Sequence, residues 1–255
     1  MSEHPSPKWS QYLSDFHARR PGITEDVLTQ SRSSDGRTPY EWVVDPIPRS
    51  SVVLDLACGS GPCLALRPGD RWIGLDRSDG ELARARSGGA RDLVRADATT
   101  LPFRDEAFDA IVCSMALMLI DPLDRAVAEM SRVLGAGATL VVLIPGHWPL
   151  QLRDVLRYAR LLRHLGEWRL QYVNDARLRR LTSLFDDYGF RVVNDSRQRF
   201  CFPFASQKET SLFVQSLYLP RAHEALIERG EEFAARWVGS HIGIPLRRVT
   251  LTKRT

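Results

Sequence analysis

Residues 51–145 predict an α/β fold with a parallel sheet, on three observations. Strand-like apolar runs alternate with helical patterns, the arrangement of βαβ units. The run TLVVLI at 139–144 is apolar almost throughout, as a strand buried on both faces should be. The first run leads directly into the glycine turn LDLACGSGP at 54–62, where such folds pass from strand to helix and receive a nucleotide.

The elements follow in order. Strands are predicted at 52–57, at 71–75 (RWIGL, ending at Asp76), at 92–95 (DLVR, ending at Asp97), at 108–114 (FDAIVCS) and at 139–144. Helices fit at 80–86 and 122–134, the latter with Leu123, Val127, Met130 and Leu134 spaced for one buried face. Beyond the fifth strand, 149–165 and 175–188 read as helices, the second stopped by Gly189. A sixth strand starts at 190–193 and extends irregularly to 202. Helices at 207–217 and 221–238 form an insert, and a seventh strand, LRRVTLTK, occupies 246–253. The first fifty residues are helix-prone and aromatic, with turns at RRPGITED and SSDGRTP. The expected organisation is a helical N-terminal cap over 1–50 and an α/β domain over 51–255, with helical segments at about 149–188 and 203–240 on the substrate side.

Composition bounds the class. The chain has 255 residues, 44% of them hydrophobic and 26% charged, the balance of an ordinary globular protein. No run reaches the roughly 18 apolar residues of a membrane span. The N-terminus MSEHPSPKW lacks an export signal pattern, and Cys58, Cys63, Cys113 and Cys201 are scattered, so the expectation is a cytoplasmic protein without disulfides. A net charge of +4 permits an anionic partner. It is almost all arginine, though, with lysine only at 8, 208 and 253, and is weak evidence for nucleic acid.

The glycine turn raises the question of which nucleotide it holds. A dinucleotide fingerprint needs a third small residue, G-x-G-x-x-G/A, for close packing of helix on strand. Counted from Gly59 that position is Leu64, and counted from Ala57 it is Pro62; neither fits. Three acidic positions do fit a single ligand. Asp55 lies in the first strand. Asp76 ends the second, where a carboxylate can accept both ribose hydroxyls, and Asp97, followed by Ala98, ends the third, where adenine would lie. The carboxyl ends of the strands face one crevice.

LDLACGSG, IGLDRS, ADATTLPF, FDAIVCSMALMLI and EMSRVLGAGATLVVL, in this order, resemble the class I S-adenosylmethionine-dependent methyltransferases, in the style of those acting on small molecules and quinones. The resemblance covers 51–145. It implies a Rossmann-like seven-stranded sheet, mostly parallel with an antiparallel last strand, helices on both faces, a helical N-terminal lid and a helical insert between strands 6 and 7. It implies S-adenosyl-L-methionine as methyl donor. Asp55, Ala57, Cys58, Gly59, Ser60 and Gly61 match the loop around the methionine portion and ribose. Asp76 matches the ribose ligand, with Arg77 beside the adenine, and Asp97 and Ala98 match the adenine clamp. Ser114 and Met115 fall where the family lines the space around the sulfonium. Ala57 stands in place of the family's usual first glycine, which is tolerable where φ is negative.

Methyl transfer from a sulfonium is an in-line displacement that asks the protein mainly for positioning and exclusion of water. A general base depends on the acceptor. Candidates are His147, in PGHWP after the fifth strand, and His17, in the aromatic N-terminal segment. Tyr12, Phe16 and Trp148 are the candidate substrate contacts. No His/Cys/Asp cluster has metal-ligand spacing, so no metal is expected. The helix near 150–165 carries Arg153, Arg157, Arg160 and His164 on one stripe, opposite Leu152, Val155, Leu156 and Ala159, and reads as a solvated cationic face. Strand four lacks the Asn/Asp-Pro-Pro-aromatic motif of DNA amino-methyltransferases. The insert, rich in Phe202, Phe204, Phe213, Tyr218 and Trp237, suits an enclosed apolar or aromatic small-molecule acceptor. The expectation is therefore methyl transfer to such a metabolite by a monomer or homodimer. The alternatives kept beside it are an RNA base methyltransferase, a protein that binds S-adenosylmethionine or S-adenosylhomocysteine without catalysis, and a Rossmann dehydrogenase.

Overall fold

The computed structural model describes residues 7–67 and 71–255; residues 1–6 of the expected cap lie outside them. Three helices precede the sheet: α1 (Pro7–Arg19), α2 (Ile23–Gln30) and α3 (Pro39–Val44). The last starts on a capping box in which Thr38 and Glu41 satisfy each other's backbone amides. Then come β1 (Val52–Leu56), α4 (Pro62–Ala65), β2 (Arg71–Asp76), α5 (Asp79–Ser87), β3 (Leu93–Arg95), β4 (Phe108–Ser114), α6 (Leu123–Val133) and β5 (Leu134–Pro145). The remainder comprises α7 (Leu152–His164), α8 (Asp175–Leu178), α9 (Leu181–Asp186), β6 (Phe190–Phe204), α10 (Gln207–Gln215), α11 (Glu224–Ala234), a 3₁₀ turn at Ala235–Trp237 and β7 (Ser240–Lys253).

The strands form one seven-stranded sheet in the order β3-β2-β1-β4-β5-β7-β6. β1 to β5 are parallel, while β7 runs antiparallel to both β5 and β6. This is the Rossmann-like arrangement expected from the sequence. Strand order reverses between β1 and β4, so the crevice for a ligand opens at the carboxyl ends of those two strands. Leu123, Val127 and Met130 of α6, with Leu181 and Phe185 of α9, pack on one face of the sheet. Tyr40, Trp42 and Val43 of α3 cover the other.

Several elements differ from their predicted extents. β5 begins at Leu134, five residues early, because it is buried from its first residue and pairs with Phe108. The predicted helix 175–188 is broken into α8 and α9, with Arg180 at φ −108 and ψ 34 leaving helical geometry between them. β6 and β7 are longer than predicted. Between Arg199–Phe204 and Ser240–Pro245 they pair with each other as a ribbon beyond the strand pairing of β5, and Cys201 of β6 also bridges Arg32. Around this ribbon, Phe202, Phe204, Phe213, Leu161, Trp237 and Ile242 form a separate apolar cluster.

The largest departure concerns α7. Its arginines were expected to face solvent and its apolar stripe to face the core. Instead Arg157 donates to the His241 carbonyl and to Ser240 Oγ (2.9 Å), and stacks 5.3 Å over Trp237. Arg153 reaches the His241 ring. Arg153 and Arg160 do face solvent, but Leu152, Val155 and Leu156 are exposed as well. Asp154 fixes this rotation. Fully buried, it accepts from Arg199 Nε (2.7 Å) and Nη2 (2.9 Å), from the Gly243 amide (2.9 Å) and from the Gln151 amide (3.0 Å). Burial pushes its carboxyl up, but the Arg199, Gln151 and Gly243 hydrogen bonds outweigh that and hold it at about 2.

Removing one partner of a buried ion pair strands the other, so Asp154→Ala is expected to destabilise the protein by about 3–5 kcal/mol in urea unfolding. A depressed carboxyl contributes stability above its unfolded value of about 3.9 and loses it as pH falls toward 2. The deficit of the variant should therefore shrink between pH 4 and pH 2.

Candidate functional site

β1 ends at Leu56 and the chain enters the turn through Ala57, at φ 56. The condition under which alanine is tolerated here, a negative φ, is not met. Ala57 occupies the left-handed region that glycine adopts freely, at a strain of roughly 1–2 kcal/mol, since the turn needs that geometry whatever residue stands there. Gly59 follows at φ 53 and Gly61 at φ 82, the latter leading into Pro62 at the start of α4. A Cβ on Gly59 would lie 1.8 Å from Glu25 Oε1. The turn therefore requires glycine both for its conformation and for the close approach of a carboxylate from α2.

A cavity of about 470 Å³ lies over this turn. Of the residues picked out from sequence, Asp55, Ala57, Cys58, Gly59, Asp76, Arg77, Asp97, Ala98, Ser114, Met115 and His17 line it. Ser60 and Gly61 sit in the turn behind it. Asp76 Oδ2 accepts from the Gly59 amide (3.0 Å) and Oδ1 from the Ser78 amide (2.9 Å), which ties the end of β2 to the turn. Asp97 is exposed and caps its own turn, accepting from the Thr99 amide and hydroxyl.

Acidic groups are concentrated here. Asp55 is buried and its Oδ2 has no hydrogen-bond partner; burial, then the Asp76 and Glu25 carboxylates, raise its carboxyl to about 8. Asp76 is also raised, chiefly by burial, against the pull of the Ser78 and Gly59 amides. Burial and the Glu81 carboxylate raise Glu25. Burial, with Asp55 next, raises the Cys58 thiol, which rules it out as a thiolate. Ser114 Oγ is a second buried polar atom without a partner. Buried carboxylates crowded together, with orphaned oxygens among them, are completed by a cationic ligand that also donates hydrogen bonds. A dinucleotide would instead bring a diphosphate into this acidic wall.

A second cavity, of about 610 Å³, lies between the ends of β4 and β5, α2, α7 and α10, and is mainly apolar: Met118, Ile144, Leu162, Tyr172 and Phe213 are among its walls. His147 and Trp148 line this one. Thr24, Met115 and Tyr218 line both cavities and form the seam between them. Met115, at φ 55, turns the chain out of β4 at this point.

Tyr218 holds the seam through a chain of polar contacts. Its hydroxyl lies 3.5 Å from Thr24 Oγ1 and 3.4 Å from His17 Nε2. His17 Nδ1 lies 2.9 Å from Glu81 Oε1, and the other Glu81 oxygen accepts from the Gly22 amide (2.8 Å). In the tautomer that donates from Nδ1 to Glu81, Nε2 presents its lone pair to Tyr218. Tyr12 and Phe16 line neither cavity. The Tyr12 hydroxyl accepts from the Leu219 amide (2.7 Å) and Phe16 packs on Tyr218 with ring centroids 4.7 Å apart, so both dock α1 onto the insert.

Sequence reasoning missed Glu25, Glu81, Thr24 and Tyr218. The first three sit in ordinary helical surroundings, and nothing in their local sequence marks them as facing a glycine turn. Tyr218 was noted only as one aromatic of the insert. Among the described residues no group of His, Cys, Asp and Glu could hold a metal ion.

A family model described as "Methyltransferase domain" matches residues 54–142. The demethylmenaquinone methyltransferase of Thermobifida fusca (strain YX) is 40% identical over 148 residues, 55% of this chain and 62% of that protein. The enzyme of the same description from Mycolicibacterium vanbaalenii is 36% identical over 132 residues, 50% of this chain and 56% of that protein. The chain thus spans less than two thirds of these curated relatives. Among solved structures, the [4+2]-cyclase SpnF superposes with a TM-score of 0.56 at 18% identity, covering 97% of this chain and 93% of that one. This last likeness concerns the fold alone, and a fold does not fix a reaction.

A carboxyl raised in the folded state contributes stability fully below its unfolded value of about 3.9, and loses it as pH rises through the folded value. For Asp55 that window runs from about pH 4 to about pH 8. Without ligand, the melting temperature should fall as pH is raised from 5 to 8.5. Asp55→Asn should flatten this dependence, as measured by differential scanning fluorimetry across pH.

Proposed function

We propose that this chain, which carries a class I S-adenosylmethionine-dependent methyltransferase domain, transfers the sulfonium methyl group of S-adenosylmethionine to a small, apolar or aromatic acceptor held in the second cavity. The observation that carries this reading is the seam. An acid-lined cavity with orphaned oxygens on Asp55 and Ser114 meets an apolar one at Thr24, Met115 and Tyr218.

The residues present suit the donor. Asp76 has lone pairs left for ribose hydroxyls after accepting from Gly59 and Ser78. Asp97, Ala98 and the exposed Arg77 stand along the rim where adenine would lie. Asp55, Glu25 and Glu81 are the acidic groups for the ammonium and sulfonium, whose positive charge favours their ionised forms. When bound, S-adenosylmethionine supplies an activated methyl on a good leaving group, so the protein's part is to align the acceptor and remove its proton.

Tyr218 and His17 suit that second task. As the bond from acceptor to methyl forms and the sulfur–methyl bond breaks, Tyr218 takes the acceptor's hydroxyl proton while passing its own to His17 Nε2, and Glu81 stabilises the resulting imidazolium. Burial holds the Tyr218 phenol raised, so it rests neutral and acts as a relay rather than as a standing phenolate. Deprotonating a ring hydroxyl enriches the neighbouring ring carbon as well as the oxygen, so one relay serves either site of methylation. His147 contributes to the acceptor wall together with Trp148. Since the relatives are demethylmenaquinone methyltransferases, reduced demethylmenaquinone is the first acceptor to test.

Calorimetry should detect S-adenosylhomocysteine binding but no binding of nicotinamide dinucleotides; the reverse would sink the reading. Glu25→Gln should weaken S-adenosylhomocysteine about tenfold, roughly 1.4 kcal/mol, and leave 5′-methylthioadenosine, which lacks the ammonium, unaffected.

With an accepted substrate, Tyr218→Phe and His17→Ala should each lower kcat by roughly 10²-fold, with S-adenosylhomocysteine affinity retained. Full turnover in both variants would exclude the relay.

A further inference from the structure

The exposed face of α7 has no use in the fold. Leu152 (76% exposed), Val155 (44%) and Leu156 (46%) follow helical spacing on one side of the helix, and the exposed Ala159 continues the stripe. Trp148 (65%) and Trp168 (74%) stand beside it, so five of the eight large hydrophobic side chains exposed among the described residues gather here. Buried Asp154 and pinned Arg157 prevent the helix from rolling this stripe inward. Contiguous apolar surface of this kind marks an interaction site. Two further observations say what covers it. Val155, Ala159, Trp148 and Trp168 also line the apolar cavity, so the patch is continuous with that cavity's wall. And its fringe is cationic: Arg160 and Arg163 make no ion pair with any described residue, and Arg169 stacks 4.5 Å over Trp168.

We propose that this face docks onto the headgroup–acyl boundary of an anionic lipid bilayer, with the acceptor cavity opening against the membrane. An interfacial helix combines an exposed apolar side, arginines at its border and tryptophans at headgroup depth, which are the features present. Among the described residues no helix is long and apolar enough to cross a membrane, so the contact is with the surface. A second copy of the chain is the poorer occupant, because a two-fold pairing would set the arginine fringe against itself. The inference rests on reading the apolar cavity as the acceptor site; the bilayer then serves as the reservoir of a lipid-soluble acceptor.

The test is co-sedimentation of the full chain with sucrose-loaded vesicles, of phosphatidylcholine alone or mixed with phosphatidylglycerol. The expected result is binding to the mixed vesicles, weakened but not abolished by salt, and reduced about tenfold in the Leu152→Ser, Leu156→Ser double variant. Neither leucine lines a cavity, so the variant should keep wild-type S-adenosylhomocysteine affinity, which also certifies its folding. Failure to sediment, sedimentation unchanged in the double variant, or a dimer that the double variant dissolves would overturn the proposal. S-adenosylhomocysteine calorimetry on the same preparation separates that outcome from a failure of the methyltransferase reading.

Discussion

The site is organised by a crowd of buried acidic groups. Asp55, Asp76, Glu25 and Glu81 converge on the glycine turn, and the described residues supply His17 and backbone amides against them rather than a buried arginine or lysine. Such a cluster is unfavourable on its own, and a protein retains it where a ligand completes it. The same arrangement makes the cavity selective. It favours a donor carrying positive charge at sulfur and nitrogen and opposes phosphates, which the adenine and ribose positions alone would not do.

The helices outside the sheet have a shared task. α1 brings His17, α2 brings Thr24 and Glu25, α5 brings Glu81, and the insert brings Tyr218. The contacts His17 to Tyr218 and Tyr12 to Leu219 tie the N-terminal helices to the insert across most of the chain. On the proposed reading, the donor's adenosyl end belongs to the sheet and the seam to the flanks, so a change of acceptor could arise in the flanks alone.

The sheet and the crevice at its strand ends were legible because both depend on local rules. Strand periodicity placed β1 to β5, and the carboxyl-end rule brought Asp55, Asp76 and Asp97 to one crevice. The seam was not legible because its partners lie far apart in sequence, and a glutamate on an ordinary helix gives no sign that it will meet a glycine turn. Ala57 shows that a turn can impose a backbone geometry on a residue ill suited to it. α7 shows a different limit. Amphipathicity predicted that Leu152, Val155 and Leu156 would face inward, but the helix is rotated by Asp154 and Arg199, a pair 45 residues apart, so that these three are exposed.

The placement of β7 bears on how the molecule is made. It follows β6 and the insert in the chain yet lies between β5 and β6 in the sheet. During synthesis, β1 to β5 can assemble as their residues emerge, but β6 has no neighbour to pair with until residues 240–253 are available. Through that interval the β5 edge stays open and the phenylalanines of the ribbon lack their cover, a state prone to wrong strand pairing. The second cavity, which Ile244, Pro245, Leu246 and Arg247 of β7 help to line, is accordingly the last part of the protein to form.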